Sequence, residues 1–139
     1  MVILDTNVLS ELMKPGPDPA VLQWFLSAEH ENFATTAITL AELRAGIAIL
    51  PPGKRQLFLS ETLNKVLASG TGLPVLGFGE EAAETYATLV LMRRRSGLHI
   101  DIADLMIASI CAMAGAKLAT RNVKDFAGTT IEIIDPWKS

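Results

Sequence analysis

The sequence predicts an α/β fold with a mostly parallel central sheet flanked by helices. Two observations carry that prediction: short β-prone runs alternate with helical segments along the chain, and no linker, repeat or low-complexity stretch interrupts them. Val2-Ile3-Leu4 is the first run, closed by the polar turn Asp5-Thr6-Asn7, after which Val8, Leu9, Leu12 and Met13 recur at helical spacing. Pro15-Gly16-Pro17 stops that helix, and Asp18 is placed to cap a second one carrying Val21, Leu22, Phe25 and Leu26. Phe33 to Ile38 is threonine-rich and β-prone, and Thr39 is expected to open a helix through Leu40, Leu43 and Ile47 towards Leu50.

Pro51-Pro52-Gly53 breaks the chain before a helix marked by Leu57, Leu63 and Leu67, which ends around Gly70 and Gly72. Leu73 to Phe78 is expected as a third strand. Glu80 to Arg95 forms a long helix with Tyr86, Leu89 and Val90 on its apolar side, and its three closing arginines suit the helix dipole. Gly97 ends it. Asp101 to Ala116 is almost entirely apolar or small, as in a helix buried on most of its circumference. Lys117 to Thr120 and Ile131 to Ile134 complete the set as short strands, separated by a turn holding Asn122, Asp125 and Gly128.

At 139 residues the chain falls within the range of one domain, expected to span 1–139 without disulfides or a structural metal. Half the residues are hydrophobic and 19% charged, so part of the surface is expected to be covered by a partner. No apolar run approaches the ~20 residues of a membrane span, and no secretory signal is apparent, so a cytoplasmic location is expected. The net charge of −3 gives no overall attraction to nucleic acid; any such contact must use local cations or a metal ion. Cys111, the only cysteine, sits among apolar neighbours as a small core filler.

Ligands of such folds bind beyond the carboxyl ends of the strands. Asp5 closes the first strand there, although Asp5 or Asn7 equally suits the cap of the next helix. Glu42 follows the second β-prone segment, and Thr39-x-x-Glu42 also matches a capping box. Asp101 and Asp104 lie three apart on one helical face, Asp101 being the better cap and Asp104 the acid with little solvent. Carboxylates converging at one sheet edge repel one another unless protonated or bridged by a hard cation such as Mg²⁺. Mg²⁺ suits phosphate chemistry without a covalent nucleophile, and the sequence offers no nucleophile elbow, P-loop or paired histidines.

Four phrases carry a resemblance: Leu4-Asp5-Thr6-Asn7-Val8-Leu9, Ala37-Ile38-Thr39-Leu40-Ala41-Glu42-Leu43, Ala103-Asp104-Leu105-Met106-Ile107-Ala108 and Ala119-Thr120-Arg121-Asn122. In order and spacing they resemble the successive motifs of PIN-domain toxins of the VapC and FitB type, over essentially the whole chain to Asp135-Pro136-Trp137. The resemblance implies a PIN-like three-layer sandwich and a metal-dependent endoribonuclease that cleaves RNA. Asp5, Glu42 and Asp104 would be its catalytic acids, Asp5 and Asp104 as direct ligands of Mg²⁺ and Glu42 as a ligand or water-orienting base; Mn²⁺ would substitute. Asn122 stands where many relatives carry aspartate, and Asp125 either compensates or is a turn residue before Phe126. Thr6 and Asn7 would orient Asp5 or cap the first helix. The resemblance further implies a cognate DNA-binding antitoxin of the VapB or FitA type, a toxin homodimer and a higher complex of the two.

Among the cations, Arg93-Arg94-Arg95, Lys54-Arg55, Arg44, Arg121 and Lys124 are candidates for RNA contact, Arg121 favoured by its place beside the acids. His30 and His99 are expected in loops with no nucleophile to serve, and Trp24 and Trp137 as packing residues. A receiver-type phosphoacceptor domain would need an aspartate where Leu73 to Leu76 leads into Gly77-Phe78-Gly79, and a dehalogenase-like phosphatase would need one at Asn7. The remaining alternative is a catalytically weak interaction protein whose acid pocket only receives an antitoxin arginine.

Overall fold

The structure is a computed structural model that describes every residue except Glu29, His30, Ser69 and Ser139, so the expectation for His30 lies outside the described residues. Strands β1 (Val2–Leu4), β2 (Phe33–Thr36), β3 (Val75–Leu76), β4 (Lys117–Ala119) and β5 (Ile133–Ile134) form one sheet in the order β3-β2-β1-β4-β5. Every pairing is parallel, which sharpens the expected mostly parallel sheet. Leu4 pairs with Ala119, so β1 and β4 end side by side.

The helices are α1 (Thr6–Leu12), α2 (Pro19–Ser27), α3 (Ala37–Ala48), α4 (Lys54–Val66), α5 (Glu80–Arg95) and α6 (Ile102–Ala114). Alternate strand residues face opposite ways, and this period separates the two halves of the core. Ile3, Ala34 and Leu118 pack with Ala82 and Leu89 of α5 and Leu105, Ile107 and Ile110 of α6. Val2, Leu4 and Ala119 pack on the other face with Val8 and Leu9 of α1, Val21 of α2, Leu43 of α3 and Leu63 of α4. The layers are therefore helices, sheet, helices.

Local chemistry sets most helix ends where the sequence places them. Asp18 caps α2, its Oδ1 accepting from the Ala20 N–H at 2.8 Å, with Pro19 as the first helical residue. Asp101 caps α6 through the Asp104 N–H at 2.9 Å, and Gly115, at φ 62°, ends that helix in the left-handed region that a side chain would disfavour. Only Gly115 and Ala116 separate α6 from β4, so α6 returns antiparallel to the strands and begins at their carboxyl edge.

Several expectations need correction: the second strand stops at Thr36 rather than Ile38, where α3 begins, and the last starts at Ile133 rather than Ile131. Thr36, not Thr39, caps α3: its hydroxyl accepts from the Thr39 N–H at 3.1 Å, so Glu42 is six residues in and forms no capping box. The third strand contracts to Val75–Leu76, since it pairs only with Thr35 and Thr36. Arg93, expected among the cations available for RNA contact, is buried instead. It is 5% exposed, its Nε donating to the His99 carbonyl at 3.1 Å and its Nη1 to the Ala127 carbonyl. It thereby ties the segment that leads into α6 to the segment after a 3₁₀ turn at Val123–Phe126.

His99 itself is exposed in the loop, as expected, and Trp24 packs edge-on against Phe33. Cys111 is fully buried, and burial pushes its thiol up to about 12. Among the described residues no helix is long and apolar enough to cross a membrane. Several large apolar side chains nonetheless face solvent, among them Leu26, Leu57, Ile102 and Ile49, the last 84% exposed.

Removing the Arg93 guanidinium leaves two loop carbonyls without their donor. Arg93→Ala should therefore lower the unfolding free energy by about 2–3 kcal/mol in urea titration, and Arg93→Lys should recover only part of it, since an ammonium cannot reproduce the fork.

Candidate active site

The carboxyl edge of the sheet carries a cleft of about 320 Å³ lined by Asp5, Thr6, Asn7, Ser10, Glu42, Asp104 and Asn122. Three distant stretches of chain meet there for separate reasons. Asp5 follows β1, Glu42 stands almost two turns into the helix that follows β2, and Asp104 lies in the first turn of the returning α6.

Asp5 is 4% exposed and holds two roles at once. Its Oδ1 accepts from the Thr6 N–H at 2.8 Å as the cap of α1, and its Oδ2 accepts from the Thr120 hydroxyl at 2.7 Å. Burial raises its pKa, and the Thr120 and Thr6 hydrogen bonds act against that rise. The cap and the site acid are one group.

Thr120 organises the rest of this corner. Its oxygen accepts from the Asn122 N–H at 3.1 Å and from the Asn7 side-chain amide at 3.4 Å, while Asn7 Oδ1 accepts from the Arg121 N–H at 3.1 Å. Across the cleft, the Thr6 hydroxyl donates to Glu42 Oε1 at 2.9 Å. The Thr39 hydroxyl lies 3.2 Å from that of Thr6, and since each carries one proton, Thr39 donates to Thr6. Thr6 and Asn7 are thus bound into the cleft rather than serving as the cap of α1.

Asp104 is half-buried. Burial first, then the charges of Asp101, Asp125, Asp5 and Glu42, push its carboxyl up to about 7. Among the described residues, Asp5, Glu42 and Asp104 form no ion pair with a lysine or arginine. Neither do any three acidic, histidine or cysteine side chains stand close enough to hold a metal ion by themselves. The donor set is oxygen from carboxylates, two amides and hydroxyls, the chemistry that suits a hard divalent cation.

The other expected residues divide. Asn122 lines the cleft. Asp125 is exposed and outside the lining, although its charge raises both Asp5 and Asp104. The Arg121 guanidinium lies 4.9 Å from the centre of the Trp137 ring rather than in the cleft. Thr120, Thr39 and Ser10 were absent from the sequence-based set. Only the adjacency of β1 and β4 could have pointed to Thr120, and parallel neighbours are not legible from one sequence.

Together these features define a class: an open parallel α/β sheet with an acid-lined cleft at its carboxyl edge. A family model described as the PIN domain matches residues 2–130, and the chain belongs to the PIN-domain family. It is 39% identical over 138 residues, 99% of each chain, to the VapC ribonuclease Y4jK of Sinorhizobium fredii. Among solved structures it is similar to FitAcB from Neisseria gonorrhoeae, with a TM-score of 0.89 and 34% identity over the whole of both chains. It is also similar to VapBC-5 from Mycobacterium tuberculosis, a member of the VapBC family of toxin-antitoxin systems. That match has a TM-score of 0.68 and 27% identity over 95% of each chain.

The raised Asp104 carboxyl fixes the sign of a pH effect. Folded, it holds its proton up to about 7, whereas the unfolded carboxyl loses it near its ordinary value of 3.8, so the folded state binds more protons between these limits. This contribution to stability is present in full below the lower limit and is lost as pH rises through the upper one. In chelator, the melting temperature should fall between pH 5 and 8, and Asp104→Asn should flatten the profile. Parallel profiles for the two proteins would contradict the raised carboxyl.

Proposed function

We propose that this chain is a Mg²⁺-dependent endoribonuclease that hydrolyses RNA phosphodiester bonds, acting in the cytoplasm as the toxin of a type II toxin-antitoxin pair. The observation that carries this reading is a set of carboxylates drawn to one open cleft without a compensating lysine or arginine among the described residues. Asp5 is buried, and burial together with the neighbouring acids raises the Asp104 carboxyl to about 7. Such an arrangement costs stability in the metal-free protein and gains it back with a bound cation.

Mg²⁺ is usually held by one or two carboxylates, with water and substrate phosphate completing its shell. That habit fits residues too widely spaced to enclose an ion alone. Asp5 and Asp104 are the direct ligands in this reading, Glu42 orients water, and Mn²⁺ substitutes. A bound divalent ion supplies charge compensation for the phosphodiester and activation of water. The chain's own residues do the positioning: Thr120 and the Thr6 amide fix the Asp5 carboxylate, and the Thr6 hydroxyl fixes that of Glu42. Asn122 offers a neutral oxygen where a fourth acid would otherwise add charge, which weakens any second metal.

A VapC ribonuclease aligned over almost the whole chain supports the activity, and a structure from the VapBC family of toxin-antitoxin systems supports an antitoxin partner. The exposed Leu26, Ile49, Leu57 and Ile102 give a partner and a second copy of the chain apolar surface to cover. One observation favours a weaker catalyst that chiefly receives an antitoxin arginine, namely Asn122 in the cleft.

Purified antitoxin-free protein should cleave single-stranded RNA in Mg²⁺ and stop on chelation. Asp5→Asn and Asp104→Asn should each lower kcat/KM at least about a hundredfold, the loss of a charge group worth several kcal/mol in the transition state. Cleavage that persists in excess chelator would remove the metal from the mechanism. Mapping RNA ends after inducing the wild type and Asp5→Asn in cells identifies the target.

A further inference from the structure

A second concavity opens directly off the acid cleft. It is a groove of about 170 Å³ between α1, α3 and α4, and it shares Ser10 and Glu42 with the cleft. Met13 and Leu59 give it apolar walls, and Arg55 stands exposed within it, without an ion pair to any described residue. Gly46 sits inside α3 at the same place. A Cβ there would meet nothing within 4 Å, so packing does not require glycine, and glycine is the poorest helix former after proline. Gly46 lines the groove and has no side chain to narrow it.

We propose that this groove is a substrate subsite that takes the RNA nucleotide next to the scissile phosphate, which makes Arg55 and Gly46 substrate-binding determinants. The inference rests on the nuclease reading and assigns the side from which the strand approaches. A single strand lying over the acids has to leave the cleft along a surface that accepts both an anionic phosphodiester and the flat apolar face of an unstacked base. The groove offers that pair: a guanidinium for the phosphate, and methionine and leucine side chains for the base or ribose. A larger pocket of about 440 Å³ between α1, α2 and α4 has no ionised side chain in its lining and shares no residue with the acid cleft, so it lacks both features.

Gly46 makes the test clean, because a longer side chain fills the groove while raising helix propensity, so lost activity cannot be laid to unfolding. Purified full-length protein is assayed on a pool of random single-stranded RNA oligonucleotides in Mg²⁺, with cut sites mapped by sequencing. Gly46→Met should raise KM about tenfold with kcat nearly unchanged, the pattern of lost uniform binding, and should alter the preference at the nucleotide flanking the cut. Gly46→Ala should have a much smaller effect. Arg55→Ala should raise KM and reduce the slope of log kcat/KM against log salt by about 0.7, one phosphate contact on a single strand.

Unchanged KM and unchanged cut-site preference in Gly46→Met, with the wild type active, would overturn the subsite alone. Unchanged RNA kinetics with weakened neutralisation by the antitoxin would overturn it too, assigning the groove to a protein partner. Wild-type protein without chelator-sensitive cleavage would overturn the nuclease reading and the subsite together.

Discussion

The hydrogen bond from Thr120 to Asp5 holds the site together. A carboxylate that is nearly excluded from water is unstable as an ion unless donors replace the lost hydration. Asp5 receives one from the helix it caps and one from the strand beside its own. The second depends on β1 and β4 running parallel and in register, Leu4 against Ala119, so that the next residue of each strand lies at the same edge. That register also sets Asn7 against Thr120 and Arg121, which binds the start of α1 to the end of β4.

Helix capping and site chemistry are not alternatives here. Asp5 caps α1 with one oxygen and leaves the other bonded at the site, and Asp101 caps α6 while adding charge beside Asp104. Thr36 takes the capping role at α3, which releases Glu42 to bond with Thr6 at the mouth of the cleft. The acids least engaged in capping, Glu42 and Asp104, are the ones most open to a ligand.

Much of the architecture was legible because local signals agreed with one another. Proline, glycine and aspartate at element ends placed α2, α5 and α6 closely, and the apolar stretch from Leu105 to Cys111 announced a buried helix. The first strand is as the sequence predicts, but the later ones are shorter than their β-prone runs, since a strand ends where its neighbour does, and β3 has only two residues of β2 to pair with. Arg93 stands in a run of three arginines that locally suggests cations open to RNA; its burial comes from carbonyls 6 and 34 residues away. The role of Thr120 is not legible for the same reason, its partner lying 115 residues distant.

By itself, the order of residues determined the alternation of strands and helices and the acids that end up at one sheet edge, because periodicity and capping act within a few residues. The tertiary structure alone decided which donors hold those acids, how far burial raises Asp104, and that a groove lined by Gly46 of α3 lies beside them. Those outcomes depend on strand register and on helices crossing in space, which no short-range pattern encodes.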